Sequence, residues 1–174
     1  MSELRKSIWI DAPPEVVFSY LTDAEKVARW FGVRAELDPV PGGVYRPFVE
    51  DAVEDGLGTA PVTAGAHTHP QRLDMGVSGV VEGTFLEVEP GRRLSWEVRA
   101  PAGVDAPPSV IDITIAPEAG GSRVEVRQSG LAPPFDLMAS RGWDHHLARL
   151  SVVAEGGSAG PDSLCRRPMQ SLIE

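Results

Sequence analysis

Along most of the chain the apolar positions recur with a period of two. Leu4 to Asp11 sets Ile8 and Ile10 on one side and Trp9 on the other, then stops at a proline pair, which predicts a first strand. Val33, Ala35 and Leu37 alternate with Arg34, Glu36 and Asp38, and Pro41-Gly42-Gly43 turns the chain into Val44 to Val49, the pattern of a hairpin. Met75 to Val88 reads as a long extended stretch with blurred alternation, so a bulge is expected near Gly83. After the tight turn Glu89-Pro90-Gly91-Arg92, Leu94, Trp96 and Val98 oppose Ser95, Glu97 and Arg99. Ile111, Ile113 and Ile115 oppose Asp112 and Thr114, and past Gly120-Gly121 Val124 and Val126 oppose Arg123, Glu125 and Arg127. The prediction is an antiparallel meander with one dry face.

The period lengthens in two places. Pro13 and Pro14 can occupy a first helical turn, Glu15 complements the helix dipole, and Val17, Phe18 and Leu21 follow at helical spacing. Thr22-Asp23-Ala24-Glu25 has the form of a capping box that restarts a helix to about Phe31, with Gly32 ending it. Near the end, from about Met138 to Glu155, Trp143, His146, Leu147, Leu150 and Val153 share one narrow arc, while Arg141, His145 and Arg149 are placed opposite. A sheet with a single dry face needs a cover, and this striped helix supplies it.

Two segments carry no such pattern. Residues 50–74, rich in glycine, alanine, proline and acidic side chains, read as a long loop, the kind that serves as a lid. Residues 156–174 open with Gly-Gly-Ser-Ala-Gly-Pro and read as a flexible tail after a domain of residues 1–155. A length of 174 residues suits one domain with a sizeable core.

The formal charge of −9 sets the chain against phosphate backbones and anionic lipid surfaces, so neither nucleic acid nor membrane is expected as a partner. No apolar run reaches the ~20 residues of a membrane span, and the N-terminus lacks a signal-peptide pattern, so the expected location is cytoplasmic. The lone Cys165 has no companion for a disulfide or a metal.

Ile10-Asp-Ala-Pro-Pro-Glu-Val-Val-Phe18 and Leu21-Thr-Asp-Ala-Glu-Lys-Val-Ala-Arg-Trp-Phe31 resemble the opening of the START-like, polyketide-cyclase-type (SRPBCC) superfamily. Gly42-Gly-Val-Tyr-Arg46, the run from Gly83 to Trp96, and Gly142-Trp143 with Leu147 and Leu150 resemble its branch named after the activator of the heat-shock-protein ATPase. The likeness covers about residues 4 to 155. It implies an α+β helix-grip fold: a curved antiparallel sheet of about seven strands around a long C-terminal helix, with two short helices after strand one. It also implies an apolar cavity between sheet and helix.

Within that expectation the ligand-facing candidates are Trp30, Phe31, Tyr45, Phe48, Phe85, Trp96, Ile113, Gln128, Trp143, His146, Leu147 and Leu150. Taken singly, each aromatic is more simply a core filler. His146 interrupts the helix stripe and could orient a ligand or move a proton; the simpler reading is a buried histidine satisfied by a carbonyl or water. Gln128, in phase with Val126, is a second inward polar group. His67 and His69 form an H-x-H pair in the long loop, and His145 and His146 diverge by about 100° on a helix, so no metal site and no cofactor are expected. Ser78 lacks the strand-to-helix elbow of a nucleophile. The functional expectation is binding of a small hydrophobic or aromatic molecule. The alternatives are a cyclase or hydratase using His146, and an interaction module that is chaperone-linked or regulatory, its protein partner unknown.

Overall fold

The computed structural model describes residues 2–32, 34–48, 81–100, 105–133 and 135–162. The expectations for the 50–74 loop, the start of the Met75 stretch, His67, His69, Ser78, Cys165 and the end of the tail lie outside these residues.

Strand β1 (Ser2–Ile10) leads to helices α1 (Pro14–Thr22) and α2 (Ala24–Val27). Strands β2 (Arg34–Leu37), β3 (Val44–Phe48), β4 (Gly83–Glu89), β5 (Arg93–Val98), β6 (Ser109–Glu118) and β7 (Gly121–Leu131) follow, and helix α3 (Phe135–Ala154) closes the series. All strand pairs are antiparallel, in the order β1-β7-β6-β5-β4-β3-β2, an open seven-stranded sheet. The architecture is α+β and helix-grip, as the alternation and the striped helix predict.

Cross-strand register carries the dry face from strand to strand. Phe85 pairs with Trp96, Trp96 with Ile111, Leu94 with Ile113, Ile113 with Val126, and Ile8 with Val124. Because side chains alternate, these residues share one face, and with Leu147, Leu150 and Val153 of α3 they belong to a single core cluster. Among the strands α3 lies closest to β1, and it also packs on α1.

Three local details depart from the sequence-based expectation. The bulge falls between Phe85 and Glu87, not near Gly83. Leu86 is the extra residue; it faces solvent and switches the inward parity from Phe85 to Val88. Gly83 pairs with both Tyr45 and Val98, and a side chain there would run into the Glu97 carbonyl, so its smallness serves close strand approach. The cap of α2 is Asp23, whose carboxylate accepts from the Lys26 N–H at 3.1 Å. Thr22 cannot fill that role because it is still the last residue of α1, where its hydroxyl donates back to the Phe18 carbonyl. Helix α2 is also a single turn, with Trp30 and Phe31 following in turn and bend, and Gly32 takes φ 72°, as a chain reversal there requires.

Candidate functional site

Three neighbouring strands bring together an aromatic group. Tyr45 from β3, Phe85 from β4 and Trp96 from β5 are buried, with ring centroids 4.7 Å apart for Tyr45–Trp96 and 5.6 Å for Tyr45–Phe85. Their tilted and edge-on geometries are those favoured by aromatic quadrupoles. Burial pushes the Tyr45 hydroxyl well above its usual range, so it stays protonated. The Trp96 indole N–H is buried and has no hydrogen-bond acceptor among the described residues. Ile113 extends this face on β6, and Leu147 and Leu150 contribute to the same core from α3.

Phe48 does not join them. Alternation puts Tyr45 and Pro47 inward, which turns Phe48 with Arg46 to the opposite face, where the Arg34 guanidinium sits 3.9 Å from its ring centroid. Its expected ligand contact is corrected accordingly: a one-residue step in a strand moves a side chain through the sheet.

Gln128 is inward as expected, but its amide is already engaged. Its oxygen accepts from the Trp143 indole N–H at 2.8 Å, and its nitrogen donates to Ser109 Oγ at 3.1 Å. The pair Trp143–Gln128 therefore ties α3 to β7. Trp143 itself is half-buried against the core.

A second aromatic group forms where the chain leaves α2. The Trp30 indole donates to the Tyr20 carbonyl at 2.7 Å. Phe31 lies 4.4 Å from the His146 ring and Trp30 lies 6.3 Å from it. His146 thus packs between α3 and the segment after α2, and its Nδ1 lies 3.5 Å from Asp162 Oδ2. Burial pushes His146 down to about 4, a shift opposed by the Asp162 carboxylate and by a hydrogen bond to the Trp30 backbone and reinforced by His145 and Arg149. The ring is neutral at ordinary pH.

Sequence reasoning missed Arg149 and Asp162. Arg149, expected on the exposed side of α3, is buried. Its guanidinium donates to the carbonyls of Arg29, Trp30, Ala159, Gly160 and Pro161 over 2.8–3.4 Å. Asp162 has no exposed side-chain surface, pairs with His145 Nε2 at 2.8 Å, and accepts from the Gly32 N–H at 3.3 Å. Residues 156–162, which composition assigns to a tail, run back along α3 as a strap. The helical phase carried a partial signal, since Arg149 is only about 60° from His146 around the helix; nothing marked Asp162. Beside the strap is an open surface hollow of about 370 Å³, lined in part by Arg29, Val153 and Gly157 to Gly160. It is not the expected cavity between sheet and helix.

Comparisons with known proteins agree with this architecture. The family model for the Activator of Hsp90 ATPase homolog 1-like protein matches residues 11–155. Among solved structures, an AHSA1-like protein from Rhizobium etli is 32% identical, with 93% of this chain and 87% of that chain covered and a TM-score of 0.60. The Aha1 dimer from Colwellia psychrerythraea is 16% identical, over 90% and 98% of the two chains, with a TM-score of 0.63. CalU16 from Micromonospora echinospora is 19% identical, over 98% and 82%, with a TM-score of 0.59. No curated protein matches the chain. With the opening signature, the open antiparallel sheet and the closing helix all in place, the chain belongs to the Activator of Hsp90 ATPase homolog 1-like family, a branch of the START-like superfamily.

Proposed function

We propose that the domain of residues 1–155 binds a small hydrophobic or aromatic molecule on the inner face of the sheet, between the sheet and α3. The observation that carries this reading is the buried Trp96 N–H without an acceptor, set among Tyr45 and Phe85. A buried donor left unmet costs about 1–3 kcal/mol, and a guest carrying an acceptor such as a carbonyl or ether oxygen removes that cost while burying apolar surface. Tyr45, Phe85, Trp96, Ile113, Leu147 and Leu150 are the residues for such a contact. Trp30, Phe31, Trp143 and Gln128 support the helix that covers the site.

The chain's −9 charge favours a neutral or cationic guest. No described helix is long and apolar enough to cross a membrane. A cyclase or hydratase acting through His146 draws no support from the geometry, because that ring packs on Phe31 and faces Asp162. An interaction with a chaperone ATPase rests on the family description alone.

The test is native mass spectrometry of the protein as isolated, followed by tryptophan fluorescence titration with uncharged aromatic carbonyl compounds. Saturable quenching in the wild type that weakens about tenfold in Trp96→Phe supports the reading. The absence of any co-purified or titratable guest overturns it.

A further inference from the structure

The ligand-type atoms behind α3 have a separate meaning. His145 Nε2, His146 Nδ1 and a carboxylate oxygen of Asp162 come from two chain segments, and one atom from each residue lies within 4.8 Å of the others. The geometry points to a metal site for a divalent ion of the zinc class, held by His145, His146 and Asp162 with water as the fourth ligand on the part-exposed His145 side.

Consecutive helical residues diverge by about 100°, which ordinarily keeps two adjacent histidines from sharing an ion. Here the obstacle is removed in two ways. The rings present different nitrogens, Nε2 at the tip of His145 and Nδ1 near the root of His146, and their centroids are 5.1 Å apart. The strap then brings Asp162 to both, one oxygen 2.8 Å from His145 and the other 3.5 Å from His146.

The independent sign of a missing ligand is His146 Nδ1 itself. It is buried, lacks a hydrogen-bond partner among the described residues, and lies opposite a carboxylate oxygen. The Arg149 guanidinium stands 3.7 Å from Asp162, beyond hydrogen-bond reach, and its hydrogens are directed to backbone carbonyls. Its nearby charge weakens the hold on any cation.

Two imidazoles and one carboxylate suit zinc, cobalt or nickel and exclude calcium and magnesium, which take oxygen ligands. On binding, His145 exchanges its Nε2 contact with Asp162 for the ion. With Asp162 and His146 buried, the ion pins the strap to α3 and to the Gly32 turn.

The test uses full-length protein stripped with EDTA. Cobalt(II) titration read by visible absorption, and zinc(II) titration read by calorimetry and melting temperature, are expected to show one ion per chain, tetrahedral cobalt bands and a rise in Tm. His145→Gln keeps a group that can hydrogen-bond Asp162, and Asp162→Asn removes the charge; each is expected to weaken uptake at least about tenfold. A double variant His67→Ala/His69→Ala should bind as the wild type does. Failure of the wild type to take up either ion overturns the proposal. So does uptake unchanged in His145→Gln, or uptake lost in the His67/His69 variant. If Asp162→Asn does not fold, His145→Gln decides alone.

Discussion

The Trp143 indole N–H donates to Gln128 Oε1 at 2.8 Å, and this bond fastens the long helix to the strand beside the sheet's edge. Gln128 completes the connection by donating to Ser109 on the next strand, so one buried amide links α3, β7 and β6.

From this link, Trp143→Phe should lower unfolding stability by about 1 kcal/mol, one hydrogen bond's net contribution. Gln128→Leu should cost more, about 1–3 kcal/mol, because it leaves both the part-buried Trp143 indole N–H and Ser109 Oγ without their partner. Urea unfolding followed by circular dichroism measures both; a Gln128→Leu variant as stable as the wild type would mean that the indole finds water instead.

Arg149 holds five carbonyls of two segments and stands beside a buried carboxylate. Arg149→Met should therefore lower stability by about 3 kcal/mol or more, the scale for removing one partner from a buried polar network. Limited proteolysis should also cut between residues 156 and 162 faster in the variant. Unchanged cleavage there would show that the strap is held by something other than Arg149.

His146 carries a pH signature. Its folded value is pushed down to about 4 by burial, against 6.5 when exposed, so the unfolded chain binds more protons between those two values. Stability is then full above about pH 6.5, falls as the pH drops through the window, and levels off with respect to this group below about 4. The loss is on the order of 3 kcal/mol. Measured with EDTA present, His146→Gln should flatten the slope between pH 4 and 6.5. An equal slope in the variant would assign it to other groups.

Trp96→Phe makes an opposite kind of test. It deletes a donor that has no partner among the described residues, so the guest-free protein should lose little stability, which thermal unfolding measures directly. A drop of about 3 kcal/mol or more would show that the indole fills core space that nothing else can take.

The strands and the covering helix were legible in the sequence because burial on one face imposes a period, and Ile111, Ile113, Ile115, Val124 and Val126 keep that period without interruption. Where local chemistry decided the outcome, the pattern misled. Leu86 reads as one apolar residue among several, and only pairing with β5 shows it to be the bulge. Thr22 and Asp23 are both good caps, and the choice between them was made by how far α1 continues.

The order of elements, the dry sheet face and the striped helix follow from residue periodicity alone, since each depends on neighbours close along the chain. The parity of Phe48, the burial of Arg149 and the meeting of His145, His146 and Asp162 do not. They depend on where segments distant in sequence come to lie, and a buried polar group is stabilised by partners that only the folded chain supplies.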